Sequence, residues 1–111
     1  MAVMQLTSSR HPGTDCSEVA EMLQSMVGGS LVTFAPKAVK GKMRQTMKVP
    51  MDNSTYLYHV VVEKTVGGVK YIADGTTAIC MAEAKYRVEI QKLNGNTVIV
   101  KLNGDKASNY Y

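Results

Sequence analysis

The order of elements in this chain predicts an α+β fold, with helices packed against one small antiparallel sheet. Three observations carry that expectation. A capped amphipathic helix lies near the N-terminus. A β-branched and aromatic segment in the middle, "TYLYHVVVEK", folds back onto "VKYIAD". A helix-then-strand pattern closes the sequence. The 111 residues fit a single domain, 1–111, with a modest core.

The first 13 residues read as an irregular arm. In "GTDCSEVAEMLQSMVGG", Asp15 is placed to cap a helix, and Glu18 three residues later completes a capping box. Val19, Met22, Leu23, Met26 and Val27 recur at helical spacing and form one apolar face, before Gly28 and Gly29 end the helix. "SLVTFA" reads as a short strand closed by Pro36, and residues 37–54 as a long, weakly patterned connection that is either a substrate wall or simply mobile.

The segment from Thr55 to Lys64 reads as the strongest strand, turned at Gly67 and Gly68 into a hairpin with "VKYIAD". Period two places Leu57, His59 and Val61 on one face, with Tyr56, Tyr58, Val60 and Val62 on the other. "MAEAKYRVEIQKL" gives a helical stripe through Ala82, Tyr86, Ile90 and Leu93. A hairpin around Asn94 and Gly95 competes with it; a helix over 81–93 followed by a strand over 97–102 is preferred. The tail, 103–111, reads as frayed.

Composition excludes several classes. Apolar residues make up 45% and charged residues 20%, a globular mixture. No run approaches the about 18 apolar residues of a membrane span. The N-terminus lacks the apolar core of a signal peptide, so a soluble chain is expected, of undetermined compartment, whether cytoplasmic or one piece of a longer exported protein. Net charge is +4, concentrated in "KAVKGKMRQTMK". That stretch has no interleaved aromatics, which favours a solvated loop over nucleic-acid binding. Two cysteines are too few for a disulfide scaffold, and without a CxxC the sequence predicts no metal site and no cofactor.

The chemistry concentrates in three residues. Cys16 falls at the start of the first helix, where the dipole and free N–H groups favour thiolate. Taken alone, such a cysteine is more often a small packed hydrophobe. His59 lies in an otherwise apolar strand, and a lone histidine there is usually a satisfied core residue. Asp74 ends the neighbouring strand before Gly75, where "DG" also reads as an ordinary turn. A hairpin centred on Gly67 and Gly68 puts His59 opposite Thr76, with Asp74 a diagonal step away. From there its carboxylate would accept the imidazole Nδ1–H. Together the three point to a thiol nucleophile, its acid–base partner and an orienting carboxylate. Cys80 has no such neighbours in sequence and is expected to be inert.

The residues "DCSEVAEML", "YHVVVE" and "KYIADG", in that order, resemble the papain-like fold, and more narrowly the compact papain-fold toxin domains of bacterial polymorphic toxins. "MAEAKYRVEI" resembles the helix that often follows the acidic strand. The resemblance spans about residues 13–93. It implies a cysteine protease or glutamine deamidase with Cys16 as nucleophile, His59 as general base and acid, and Asp74 as orienter. It also implies a protein substrate and a cognate immunity protein. The chain departs from the pattern in lacking "CGSCW" and an oxyanion-hole glutamine just before the cysteine; Gln5 is the one upstream candidate. The contrasting reading is a non-catalytic protein-binding module with a basic loop, in which Cys16 is merely packed.

Overall fold

A computed structural model describes residues 16–41 and 45–110. The expected arm, the Asp15 cap and Gln5 lie outside the described residues. The chain order is α1 (Cys16–Val27), β1 (Ser30–Pro36), β2 (Met47–Val49), β3 (Asp52–Tyr56), β4 (His59–Val66), β5 (Val69–Asp74), β6 (Ile79–Ala82), α2 (Glu83–Asn94), β7 (Ile99–Asn103) and a 3-10 turn, Ala107–Tyr110. Five strands form one antiparallel sheet in the order β6-β5-β4-β1-β7, and β2 and β3 form a separate hairpin. The fold is α+β, with the cysteine on the N-terminal helix, as expected.

The centre of the sheet is β4, and its sequence explains why. His59, Val60, Val61 and Val62 are all buried because both faces of the strand are covered. Val60 and Val62 pack under Cys16, Val19, Ala20 and Leu23 of α1. Val61 joins Phe34, Ile72, Tyr86, Ile90 and the hairpin residues Met47 and Val49 on the opposite side. An apolar run without alternation is what a doubly covered strand requires.

The β4–β5 register pairs Val62 with Ala73 and Val66 with Val69, the predicted alignment. The turn residues Gly67 and Gly68 both take positive φ, 57° and 79°, as a two-residue hairpin turn requires.

The structure corrects several details. The buried face of α1 is Cys16, Val19, Ala20 and Leu23, while Met22 and Met26 point outward. The "TYLYHVVVEK" strand breaks at Leu57 and Tyr58. The break turns Tyr56 to the same side as His59, rather than the opposite face. The connection after Pro36 contains the β2–β3 hairpin, whose Met47 and Val49 fill the core. Asn94 clamps this hairpin to α2, accepting from Lys48 N and donating to Lys48 O, both at 2.8 Å.

"ICMA" is an edge strand, β6, so the second helix starts at Glu83. Its helix-forming composition masked the strand, which forms because it can pair along β5. Asn94 and Gly95 end α2 rather than turning a hairpin.

The tail is not frayed over its described residues. Thr33 Oγ1 donates to Gly104 O at 2.8 Å and accepts from Lys106 N at 2.9 Å. Ser17 Oγ donates to Asp105 Oδ1 at 3.3 Å, and Ala107 is buried. A buried threonine needs such partners, and the tail supplies them.

Candidate active site

Three elements converge at one end of the sheet, α1 with Cys16, β4 with His59 and β5 with Asp74. Each places its residue at an element's terminus, with His59 still paired to Phe34 of β1 and Asp74 to Ile79 of β6. Cys16 retains 7% exposure, and His59 and Asp74 have none.

His59 and Asp74 form a buried pair, with Nε2 lying 2.7 Å from Oδ2. A carboxylate only accepts, so Nε2 carries the proton. The sequence expectation was Nδ1; the geometry assigns Nε2 instead. That leaves Nδ1, a buried atom with no hydrogen-bond partner among the described residues. Beside Asp74, Cys16 is a smaller influence that raises the His59 pKa. The ring of Tyr56 covers the imidazole at 5.0 Å between centroids, tilted by 51°.

The thiol is held by the end of the sheet. The β4–β5 ladder stops at Val62 and Ala73. The Val60 N–H, beyond that point, donates to Cys16 Sγ at 3.4 Å. Sγ also lies 4.0 Å from Tyr58 O. Cys16 therefore meets a backbone N–H while sitting at a helix start.

Asp74 is the most heavily bonded group of the three. Oδ2 accepts from His59 and from Tyr86 Oη at 3.2 Å. Oδ1 accepts from Thr76 N at 3.0 Å and Thr77 N at 3.2 Å. It is thus both a turn residue and an imidazole partner, and the two sequence readings of "DG" are compatible. Thr76 and Thr77 donate because the chain turns tightly through Gly75 into β6.

Electrostatics follow from burial and pairing. Burial is the largest single influence on His59 and opposes its protonation. The charge and hydrogen bond of Asp74, with smaller contributions from Cys16, outweigh it and raise the imidazole from 6.5 to about 10. Burial would likewise raise Asp74, but the His59 charge and hydrogen bond, aided by Thr77, hold it below its ordinary value. Burial, then the Asp74 charge and hydrogen bond, push Tyr86 well above the usual phenol range, so it remains an O–H donor.

The arrangement is an imidazolium fixed at Nε2 by a carboxylate, with Nδ1 unpartnered among the described residues and a thiol bonded to the N–H of the next residue, Val60. Among the described residues, no cluster of His, Cys, Asp and Glu has the arrangement of a metal site. Cys80 is exposed on the edge strand β6, where it pairs with Ala73, the residue before Asp74. A surface groove of about 590 Å³ between α2 and the β1–β7 side, lined by Phe34, Arg87, Ile90 and Ile99, contains none of the three residues.

Sequence reasoning missed Tyr86, which it placed in an apolar stripe, and the Val60 N–H. The signal available for Tyr86 was chemical, since a tyrosine at a core position needs a partner for its hydroxyl. No protein-family model, curated protein or solved structure matches the chain, so its functional reading stands on the geometry of this site.

Proposed function

We propose that the chain is a thiol-dependent amide hydrolase of papain-like type, a protease or a glutamine deamidase. The observation that carries the reading is a division of labour on one ring. His59 gives Nε2–H to a buried carboxylate and leaves Nδ1 unpartnered among the described residues, while the N–H of the next residue, Val60, bonds the sulfur of a cysteine at a helix start. This division is the one a Cys–His couple with an orienting carboxylate needs.

In the proposed reaction, Cys16 Sγ attacks the amide carbonyl carbon and the carbonyl electron pair moves to oxygen. His59 Nδ1–H protonates the departing nitrogen, the C–N bond breaks and a thioester remains. Water, losing a proton to Nδ1, attacks the thioester, and Sγ leaves as the carboxylic product forms. A main-chain amide gives peptide cleavage; a glutamine side chain gives ammonia and glutamate.

The order of cysteine helix, histidine strand and acidic strand supports the resemblance to papain-fold toxin domains. On that reading the substrate is a protein of a target cell, and a cognate immunity protein blocks the site. The test is incubation of wild-type and Cys16→Ala protein with a cell lysate. Mass spectrometry then searches for new peptide termini or Gln-to-Glu conversions that depend on Cys16. Identical lysates would reject the reading.

The second reading is a non-catalytic binding module. Its favouring observation is burial, since His59 and Asp74 have no exposure and Cys16 only 7%. Under it the trio is a structural polar core, and Cys16→Ala alters stability alone.

A further inference from the structure

We infer that Tyr86 is a positioning residue of the Cys16–His59–Asp74 site, acting through the carboxylate that orients His59. The inference rests on the amide-hydrolase reading for its catalytic meaning. Its hydrogen-bonding content stands separately.

Tyr86 comes from α2, whereas the trio comes from α1, β4 and β5. Its ring is fully buried and held by Phe34, with centroids 5.1 Å apart and planes tilted by 48°. A phenylalanine would fill this place equally well. The hydroxyl is therefore the feature that packing does not explain, and it reaches Asp74 Oδ2 at 3.2 Å, the oxygen that also receives His59 Nε2–H. With Thr76 N and Thr77 N on Oδ1, the carboxylate accepts four donors and its lone pairs are filled. Such a carboxylate cannot rotate without breaking bonds. Its plane sets the plane of the imidazole, and so the direction of Nδ1.

The titratable groups around this carboxylate are His59 from β4, Cys16 from α1, Tyr56 from β3 and Tyr86 from α2. Tyr86 stays protonated as the pH rises, so it remains a donor throughout the range in which Asp74 must stay ionised. Removing this donor makes the carboxylate easier to protonate, and protonation releases His59 from its ion pair.

The test compares wild type with Tyr86→Phe, using nitrogen-15 NMR of the His59 imidazole across pH and the pH dependence of Cys16 alkylation by iodoacetamide. On the acid side, protonation of Asp74 changes the Nε2–H signal. In Tyr86→Phe that transition should move up by about one pH unit, and the acid limb of alkylation should move with it. A purely structural tyrosine would lower stability without displacing the transition, and an unshifted transition overturns the inference. If Tyr86→Phe does not fold, the wild-type protein decides. An exchange-protected Tyr86 hydroxyl proton close to the His59 ring supports the inference, and its absence overturns it. A shifted transition with Cys16 no faster than Cys80 supports the Tyr86–Asp74 coupling and sinks the hydrolase reading. An unshifted transition with a reactive Cys16 does the reverse.

Discussion

His59 and Asp74 meet at 2.7 Å with no solvent exposure on either side chain. A pair so buried costs much desolvation, and it persists because the carboxylate has all its other acceptor positions filled. The pH response of the fold depends on it, and on the proposed reading so does the behaviour of Cys16.

The first prediction concerns the two thiols. Cys80 is exposed and Cys16 is buried, so accessibility alone favours labelling of Cys80. On the proposed amide-hydrolase reading, activation by His59 reverses that order. Brief iodoacetamide treatment near neutral pH should label Cys16 on the order of 10-fold faster than Cys80, and His59→Ala should remove the preference. Peptide mapping by mass spectrometry gives the answer; faster labelling of Cys80 would mean the nucleophile has been misassigned.

A second prediction is for Asp74→Asn. The carboxylate accepts four donors, whereas an amide offers one acceptor oxygen and brings two N–H donors of its own. Stability should fall by about 3 kcal/mol in urea titration, with the circular dichroism of the folded state retained. Turnover should fall by about 10-fold or more, because the charge that holds the imidazolium is gone. Wild-type turnover in this variant, beside an inactive Cys16→Ala, would reduce the site to a Cys–His dyad.

The third concerns stability against pH. The folded-state pKa of His59 is raised to about 10, so its contribution is fully present below its unfolded value of 6.5 and is lost as pH rises through about 10. Asp74 is lowered, so its contribution is present above the unfolded carboxylate value and is lost as pH falls through the folded one. Relative to His59→Gln, wild-type stability should decline between about pH 6.5 and pH 10, with a slope of at most ~1.4 kcal/mol per pH unit. Parallel curves for the two proteins would show that His59 is not held protonated.

A fourth prediction links the turn after Asp74 to the helix that carries Cys16. A Cβ added at Gly75 would lie 2.6 Å from Val19 Cγ1 of α1, too close for either to stay in place. Gly75→Ala should cost about 1–3 kcal/mol by forcing α1 away from the sheet. Because Cys16 rides on α1, its alkylation should slow as well. Unchanged alkylation with reduced stability would show that the helix start is positioned independently of this contact.

The sequence made parts of this picture legible and hid others for physical reasons. The β4–β5 register followed from two glycines in a tight turn, and with it the closeness of His59 and Asp74. The helix carrying Cys16 followed from apolar spacing and terminal glycines. By contrast, β6 was hidden because Cys80, Met81 and Ala82 run directly into a helix, so local propensity pointed to helix while sheet pairing decided for strand. The burial of Met47 and Val49 was hidden because they sit on a three-residue strand that runs straight into a proline-containing turn. The choice of Nε2 over Nδ1 is a matter of ring orientation, set by Tyr56, Tyr86 and the carboxylate together, none of which is adjacent to His59 in sequence.

The sequence distances within the site carry a consequence for how it is made. His59 and Asp74 are 15 residues apart and belong to one hairpin, whereas Cys16 joins Val60 across 44 residues. Short loops close at lower entropic cost, so the hairpin has the earlier claim on structure and the docking of α1 the later one. A chain caught between the two steps would own an imidazole–carboxylate pair but no competent sulfur. Acquisition of Cys16 reactivity should therefore lag behind protection of the β4–β5 amides when refolding is followed by pulsed hydrogen exchange and pulsed alkylation, and simultaneous appearance of the two would reject that order of assembly.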